Sequence, residues 1–295
     1  MLAVKAATSA TRLIPANRKR VRASTVVGIT CLALTATLVA VVPLLPHYNV
    51  EGQNLAQTLL PPFQSTRHLL GTDELGRDVL SRLARAGQVS LEIAIPALAI
   101  TVGIGAVLGL LAGYFRGLVE TVVMGITDLL LSVPLLILLI MLVTVVRPQT
   151  STLIVVLGCT YWTGYARVAR VHTLSVTDRE FVQASRTFGA SNSWILRTHV
   201  VRRLVPQLAI MASFDLGVLI MILAGLSYLG LGVQAPTPSW GGMILDGQNY
   251  LQTDPWLAVF PGIAILLLVG GVQVLSRRFT SEADLEVPVQ LGGQS

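Results

Sequence analysis

The sequence predicts an all-α, polytopic integral membrane protein with six transmembrane helices, and three observations carry that prediction. Of 295 residues, 53% are hydrophobic and only 12% are charged, against roughly a quarter charged in ordinary soluble domains. Mean hydropathy is +0.70. The apolar residues come in runs of about 20 or more, the length a helix needs to cross a bilayer, and lack the two-residue alternation of a membrane barrel.

Residues 1–23 form a basic tail with Lys5, Arg12, Arg18, Lys19, Arg20 and Arg22 and no acid. The run that follows, 24–46, is too long for a signal-peptide core and ends without a small-residue cleavage site. Its length covers roughly 34 Å at about 1.5 Å per residue, so it reads as an uncleaved first span. A polar segment follows over 47–88. Within it, 71–82 reads Gly-Thr-Asp-Glu-Leu-Gly-Arg-Asp-Val-Leu-Ser-Arg. Thr72 or Asp73 is expected to cap a helix with Leu75, Val79, Leu83 and Ala86 on one face. Asp73, Arg77, Asp78 and Arg82 are expected to form a local ion-pair net, serving structure before substrate.

The remaining spans form a core over 89–280. Span two, 89–115, carries Gly105, Gly109 and Gly113 at four-residue steps, which lets helices approach closely. Arg116-Gly117 makes a turn into span three, 119–146, which contains Asp128. Span four, 151–171, contains Tyr161, Trp162 and Tyr165, read as packing or interface anchors. Span five, 204–231, contains Asp215. A lone acid costs about 2.5–3.5 kcal/mol at the centre of a bilayer on insertion scales, and such acids are functional by default. Asp128 is a candidate for an interhelical or gating hydrogen bond, or for cargo contact, and Asp215 is a second candidate. The loop 233–254 is stiffened and turned by Pro236, Pro238, Gly241 and Gly242, with Trp240 among them. Span six covers 255–278, and 281–295 is a polar tail.

The stretch 177–206 is the long polar interruption in the second half. Thr177 and Glu180 have the spacing of a capping box. Phe181, Ala184, Ser185 and Phe188 recur at helical spacing on one face. Gly189 stands where a helix needs a left-handed residue to end, and Ser191 or Ser193 is placed to cap a second helix through Trp194, Ile195 and Leu196. Helix, glycine elbow, helix is the expectation. It is either a loop resting on the bilayer surface or a docking lug for a partner protein.

Charge sets the expected sidedness. With both termini cytoplasmic, sixteen of the 21 Lys and Arg fall in cytoplasmic segments and five outside, as the positive-inside rule requires. The elbow is then cytoplasmic, and the net charge of +6 needs no nucleic acid to explain it. Cys31 and Cys159 lie in apolar runs and read as small hydrophobes. The chain contains no phosphate-binding Gly-x-x-x-x-Gly-Lys-[Ser/Thr] run, no Gly-x-Ser-x-Gly and no His-Glu-x-x-His. It is read as a non-enzyme without a cofactor or metal site of its own.

Several of these stretches resemble one family. Residues 177–206 resemble the cytoplasmic coupling loop of binding-protein-dependent ABC importer permeases. Ala184, Gly189 and Ile195 match its pattern, while Gln183 stands where a Glu is usual and Ser185 where a second Ala is usual. The run 71–82 resembles a signature of peptide and nickel importer permeases, notably their second (C-type) subunit. Thr127-Asp128-Leu129-Leu130-Leu131-Ser132-Val133-Pro134, the run 226–232 and the loop with Pro238 and Trp240 are similar as well. The family often has a Glu three residues before Leu226, where this chain has Leu223.

The resemblance implies a type I ABC importer transmembrane fold and a permease for di- or oligopeptides, with nickel or another small solute as the alternative. It implies a homologous permease as partner, one or two ATPase subunits that bind ATP and magnesium, and an extracytoplasmic solute-binding protein, all at the bacterial inner membrane. It implies ATPase contact through Gln183, Ala184, Ser185, Phe188, Gly189 and Ile195. A lone ion-coupled transporter with Asp128 and Asp215 as relay acids is the competing class, and a membrane enzyme or structural anchor is a third.

Overall fold

The computed structural model describes residues 18–147 and 149–285. The basic tail through residue 17 and the tail beyond 285 lie outside them. Among the described residues every regular element is helical. Eleven α-helices follow the chain: α1 (Arg18–Val41), α2 (Val79–Phe115), α3 (Gly117–Leu131), α4 (Leu135–Val146), α5 (Thr150–Thr160), α6 (Thr163–Thr177), α7 (Glu180–Thr187), α8 (Asn192–Ile195), α9 (Arg202–Tyr228), α10 (Trp240–Gly247) and α11 (Trp256–Leu285).

Among the described residues four stretches are long and apolar enough to cross a membrane: Thr25–Leu44, α2, the continuous helix Asn192–Tyr228 and Trp256–Ser276. A fifth crossing exists if α3 and α4 count as one broken span, bent by 89°. The six expected spans are redrawn in three places. Span three breaks at Ser132-Val133-Pro134, because proline drives its predecessor out of helical backbone and cannot donate to the preceding turn. Span four divides at Tyr161-Trp162 into helices of 11 and 15 residues, each short of the roughly 20 that a crossing needs. Span five starts earlier than expected. The second arm of the elbow is its first turn, joined to α9 through a π-helical stretch, Leu196–Val201.

Helix α2 runs through the centre. Its glycine stripe faces α6, as the four-residue spacing predicts. A Cβ on Gly109 would lie 2.2 Å from the Ala166 carbonyl oxygen, and one on Gly105 would lie 2.7 Å from that of Trp162. Lipid supplies little hydrophobic drive between helices, so this backbone-to-backbone approach is where packing energy is gained. The main core gathers Ile93, Ala97, Leu157, Leu219, Leu223 and Leu268 from α2, α5, α9 and α11. Leu223, the position where the resembled family carries a Glu, is 1% exposed within it.

The loop 233–254 is not only a rigid turn. It contains α10, begun by Ser239, whose Oγ accepts from the Gly242 N–H at 3.2 Å. Trp240 is buried, and its Nε1–H donates to the Leu83 carbonyl at 3.0 Å, fastening α10 to the start of α2. Gly241 sits against α9 so closely that a Cβ would meet the Ala224 oxygen at 2.0 Å.

Candidate functional site

At one end of the bundle α6, α7 and α8 form the elbow. The expected capping box at Thr177 and Glu180 is corrected. Thr177 is the last residue of α6, its hydroxyl donates to the Leu174 carbonyl, and α7 begins after Arg179 without a side-chain cap. Asp178 is instead ion-paired with Arg116, which ties the elbow to the turn between α2 and α3. The glycine turn is as expected. Gly189 has φ +82, and α7 closes through Gly189 N–H to Arg186 O (2.9 Å) and Ala190 N–H to Ser185 O (3.0 Å). Ser191, rather than Ser193, caps α8 by accepting from the Trp194 N–H at 3.4 Å.

One side of the elbow is anchored. Val182, Ile195 and Val200 are fully buried in a small separate core with Tyr114 and Val176. The Tyr114 hydroxyl donates to Asn192 Oδ1 at 2.7 Å. Two cation–π contacts brace it further: Arg203 lies 4.6 Å from the Phe181 ring and Arg186 lies 5.4 Å from the Tyr114 ring. The other side is open. Phe188 is 90% exposed, and Gln183, Ala184, Thr187 and Gly189 are exposed beside it.

Two of the expected contact residues are therefore turned inward. Ile195 is fully buried and holds the elbow from within, because the helix that carries it packs on Tyr114. Ser185 is half-buried, and its hydroxyl donates to the Phe181 carbonyl at 2.8 Å. The anchoring residues Tyr114, Val182 and Asn192 were not legible as a set, since they lie far apart in the sequence.

At the opposite end, Asp73 is a hub. Its Oδ1 accepts from the N–H groups of Leu75 (3.0 Å) and Arg77 (2.9 Å), and its Oδ2 meets Arg77 Nε at 2.7 Å and Arg82 Nε at 3.3 Å. Asp78 stands outside this net, a second correction. Its Oδ2 accepts from the Ser81 N–H at 2.7 Å and caps α2, and its Oδ1 lies 3.0 Å from His68 Nδ1. Thr72 caps nothing: its hydroxyl is stitched to Gln57 and Leu60. The helix thus starts at Val79, and Leu75 is not on it. Pro238 is buried beside Ser239 and Trp240, where α10 closes over this end.

Between the two ends lie the intramembrane acids. Asp128 on α3 is ion-paired with Arg167 on α6 at 2.5 Å, and both side chains are more than half exposed. A second pair, Glu120 with Arg170, joins the same helices nearer the elbow. Asp215 on α9 accepts from the Tyr165 hydroxyl at 2.7 Å and from Tyr161 at 3.3 Å. These three residues border a cavity of about 430 Å³ whose wall includes Pro134 and Thr163, at the breaks in spans three and four. Tyr161 and Tyr165 are thus hydrogen-bonding as well as packing residues.

The chain's similarities agree with this architecture. Residues 105–281 match the family model of the binding-protein-dependent transport system inner membrane component. The chain is 35% identical over 247 residues to the protein named probable D,D-dipeptide transport system permease DdpC of Escherichia coli, covering 84% of this chain and 82% of that one. It is 36% identical over 222 residues to the nickel transport system permease NikC of Escherichia coli, covering 75% and 79%. It is 32% identical over 242 residues to the oligopeptide transport system permease OppC of Haemophilus influenzae, covering 82% and 78%. An inward-facing structure of the MetNI methionine ABC transporter has a chain that superposes with a TM-score of 0.54. That match covers 68% of this chain and 95% of that one at 20% identity. The fold is therefore that of a type I ABC importer transmembrane domain, and the chain belongs to the inner-membrane components of binding-protein-dependent transport systems.

Proposed function

We propose that this chain is one of two homologous permeases lining the pore of an importer for di- or oligopeptides, and that it carries no catalytic group of its own. ATP and magnesium are handled by one or two separate ATPase subunits docked on the elbow. An extracytoplasmic binding protein hands cargo to the end built by Asp73, Pro238 and Trp240. Both termini and the elbow face the cytoplasm, as the distribution of Lys and Arg supports. Closing of the ATPases pushes the elbow, and the bundle rocks as a rigid body between two openings. Asp128 with Arg167, and Asp215 with Tyr161 and Tyr165, are polar ties between helices that such a motion remakes.

The observation that carries this reading is Phe188, a large apolar side chain 90% exposed on a rigidly anchored turn. An aromatic knob of this kind fits a groove on a partner. In Phe188→Asp the permease is expected to insert normally and to lose most of its co-purifying ATPase, with cargo-stimulated ATP hydrolysis falling at least tenfold. Unchanged coupling in that variant would refute docking through the knob. Nickel import is the second reading, supported by the similarity to the nickel permease. Overall identity does not separate the two cargoes.

A further inference from the structure

The intramembrane cavity of about 430 Å³ lies between the two broken spans and α9. Its volume falls within the roughly 300–1,000 Å³ of small-molecule sites. Irregular backbone at membrane depth is tolerated where it is buried in protein or lines a cavity, and both breaks, at Pro134 and at Tyr161, line this one. Helices α4 and α6 each begin there without a side-chain cap. The wall continues onto a polar face. Its residues Leu131 and Gly164 stand three positions from Asp128 and Arg167, on the same helix faces. That ion pair is more than half exposed, and an exposed charge at this depth meets protein or water, not acyl chains.

Two side chains in the cavity lack the partner their chemistry calls for. Asp215 is the one charged group among the described residues lining it. Its carboxylate accepts from the Tyr165 and Tyr161 hydroxyls, but no cation pairs with it among the described residues, although intramembrane acids are ordinarily paired. Thr163 is 5% exposed, and its hydroxyl has no hydrogen-bond partner among the described residues. Thr127, Thr160 and Thr173 each return the hydroxyl to the carbonyl four residues back. The break just before Thr163 removes that option, and folded proteins seldom leave such a buried group unused.

We propose that this cavity is a point on the cargo's path where a primary ammonium is held on Asp215 while a carbonyl of the same cargo accepts from the Thr163 hydroxyl. The inference rests on reading the chain as an importer permease and narrows its cargo to peptides with a free amino terminus. An ammonium donates charge-assisted hydrogen bonds to a carboxylate and supplies the charge that Asp215 lacks. Leu131, Val133 and Met211 give the cargo's side chains an apolar wall. Nickel calls for several ligands, imidazole or thiolate among them. No group of three His, Cys, Asp or Glu that could hold a metal occurs among the described residues.

The test separates binding from transport. Both permeases with their ATPases, without the binding protein, are placed in nanodiscs, and binding of L-alanyl-L-alanine is followed by saturation-transfer NMR. The wild type is expected to bind it saturably. Asp215→Asn, which keeps an oxygen for the tyrosines, is expected to weaken binding about tenfold, the scale of losing one charge-assisted hydrogen bond. Thr163→Val is expected to weaken it severalfold at unchanged melting temperature, since the hydroxyl has no partner to lose within the protein. N-acetyl-L-alanyl-L-alanine should bind the wild type weakly and lose nothing further in Asp215→Asn, whereas a structural defect would weaken both peptides alike. No saturable binding by the wild type, wild-type binding by both variants, equal penalties for the two peptides, or displacement of dialanine by equimolar nickel chloride would overturn the site. In any of those cases, ATP-driven dialanine uptake by the complete transporter in proteoliposomes would leave the permease reading standing. A complete transporter that carries nickel and not dialanine would instead overturn the peptide reading itself.

Discussion

Gly189 holds φ +82 with open space around the position of a Cβ, so its requirement is one of backbone and not of room. A side chain there costs about 1–2 kcal/mol for the left-handed conformation, and more if β-branched. Gly189→Val is expected to leave the permease inserted but to lower ATP-driven uptake and cargo-stimulated hydrolysis together. Gly189→Asn, which tolerates that conformation, should retain most activity. Equal uptake by both would show that the turn need not be held. Gly189 was legible because a glycine after a helical stripe has few other uses. The capping residue of α2 was not. Four side chains with an oxygen able to cap, Thr72, Asp73, Glu74 and Asp78, compete within Gly-Thr-Asp-Glu-Leu-Gly-Arg-Asp, and the winner is set by contacts with residues 54–60. Gly76, at φ +70, packs so closely on Asn54 that a Cβ would lie 1.9 Å from its oxygen. No local pattern encodes that contact.

Among elements, the pairing of α2 with α6 is the clearest case of sequence spacing becoming packing. Gly109→Val would drive a side chain into the Ala166 carbonyl and Ala169. Overpacking of this kind typically costs about 1–3 kcal/mol, and here the two backbones must also part. The expected outcome is a lower melting temperature and reduced yield of folded protein in detergent, with Gly103→Val, at a position facing open space, as the silent control. The breaks in spans three and four were harder to see. Pro134 signalled the first, since proline restricts its predecessor, but an apolar run on both sides disguised it as one helix. Helix α10 was hidden because Trp-Gly-Gly reads as turn chemistry, whereas Gly241 is small to admit the backbone of α9.

For the whole molecule, the fold class was legible because hydropathy and run length are global properties that no single contact can reverse. The two ends were legible as motifs but not as assemblies. The protein purified alone in lipid vesicles is expected to move no peptide uphill, with or without ATP, and uptake is expected only when the ATPases, the second permease and the binding protein are added. Accumulation by the lone chain would show that the energy source lies within it.

Asn192–Tyr228 is a single helix of 37 residues. It starts in the small core under the elbow and carries Ser227 at its far tip. At 1.5 Å per residue the two lie about 50 Å apart, so a tilt of roughly 10° about its base swings Ser227 by about 9 Å. A push on the elbow from one side of the membrane would thus reach the other along one rod, with no relay of intermediate side chains.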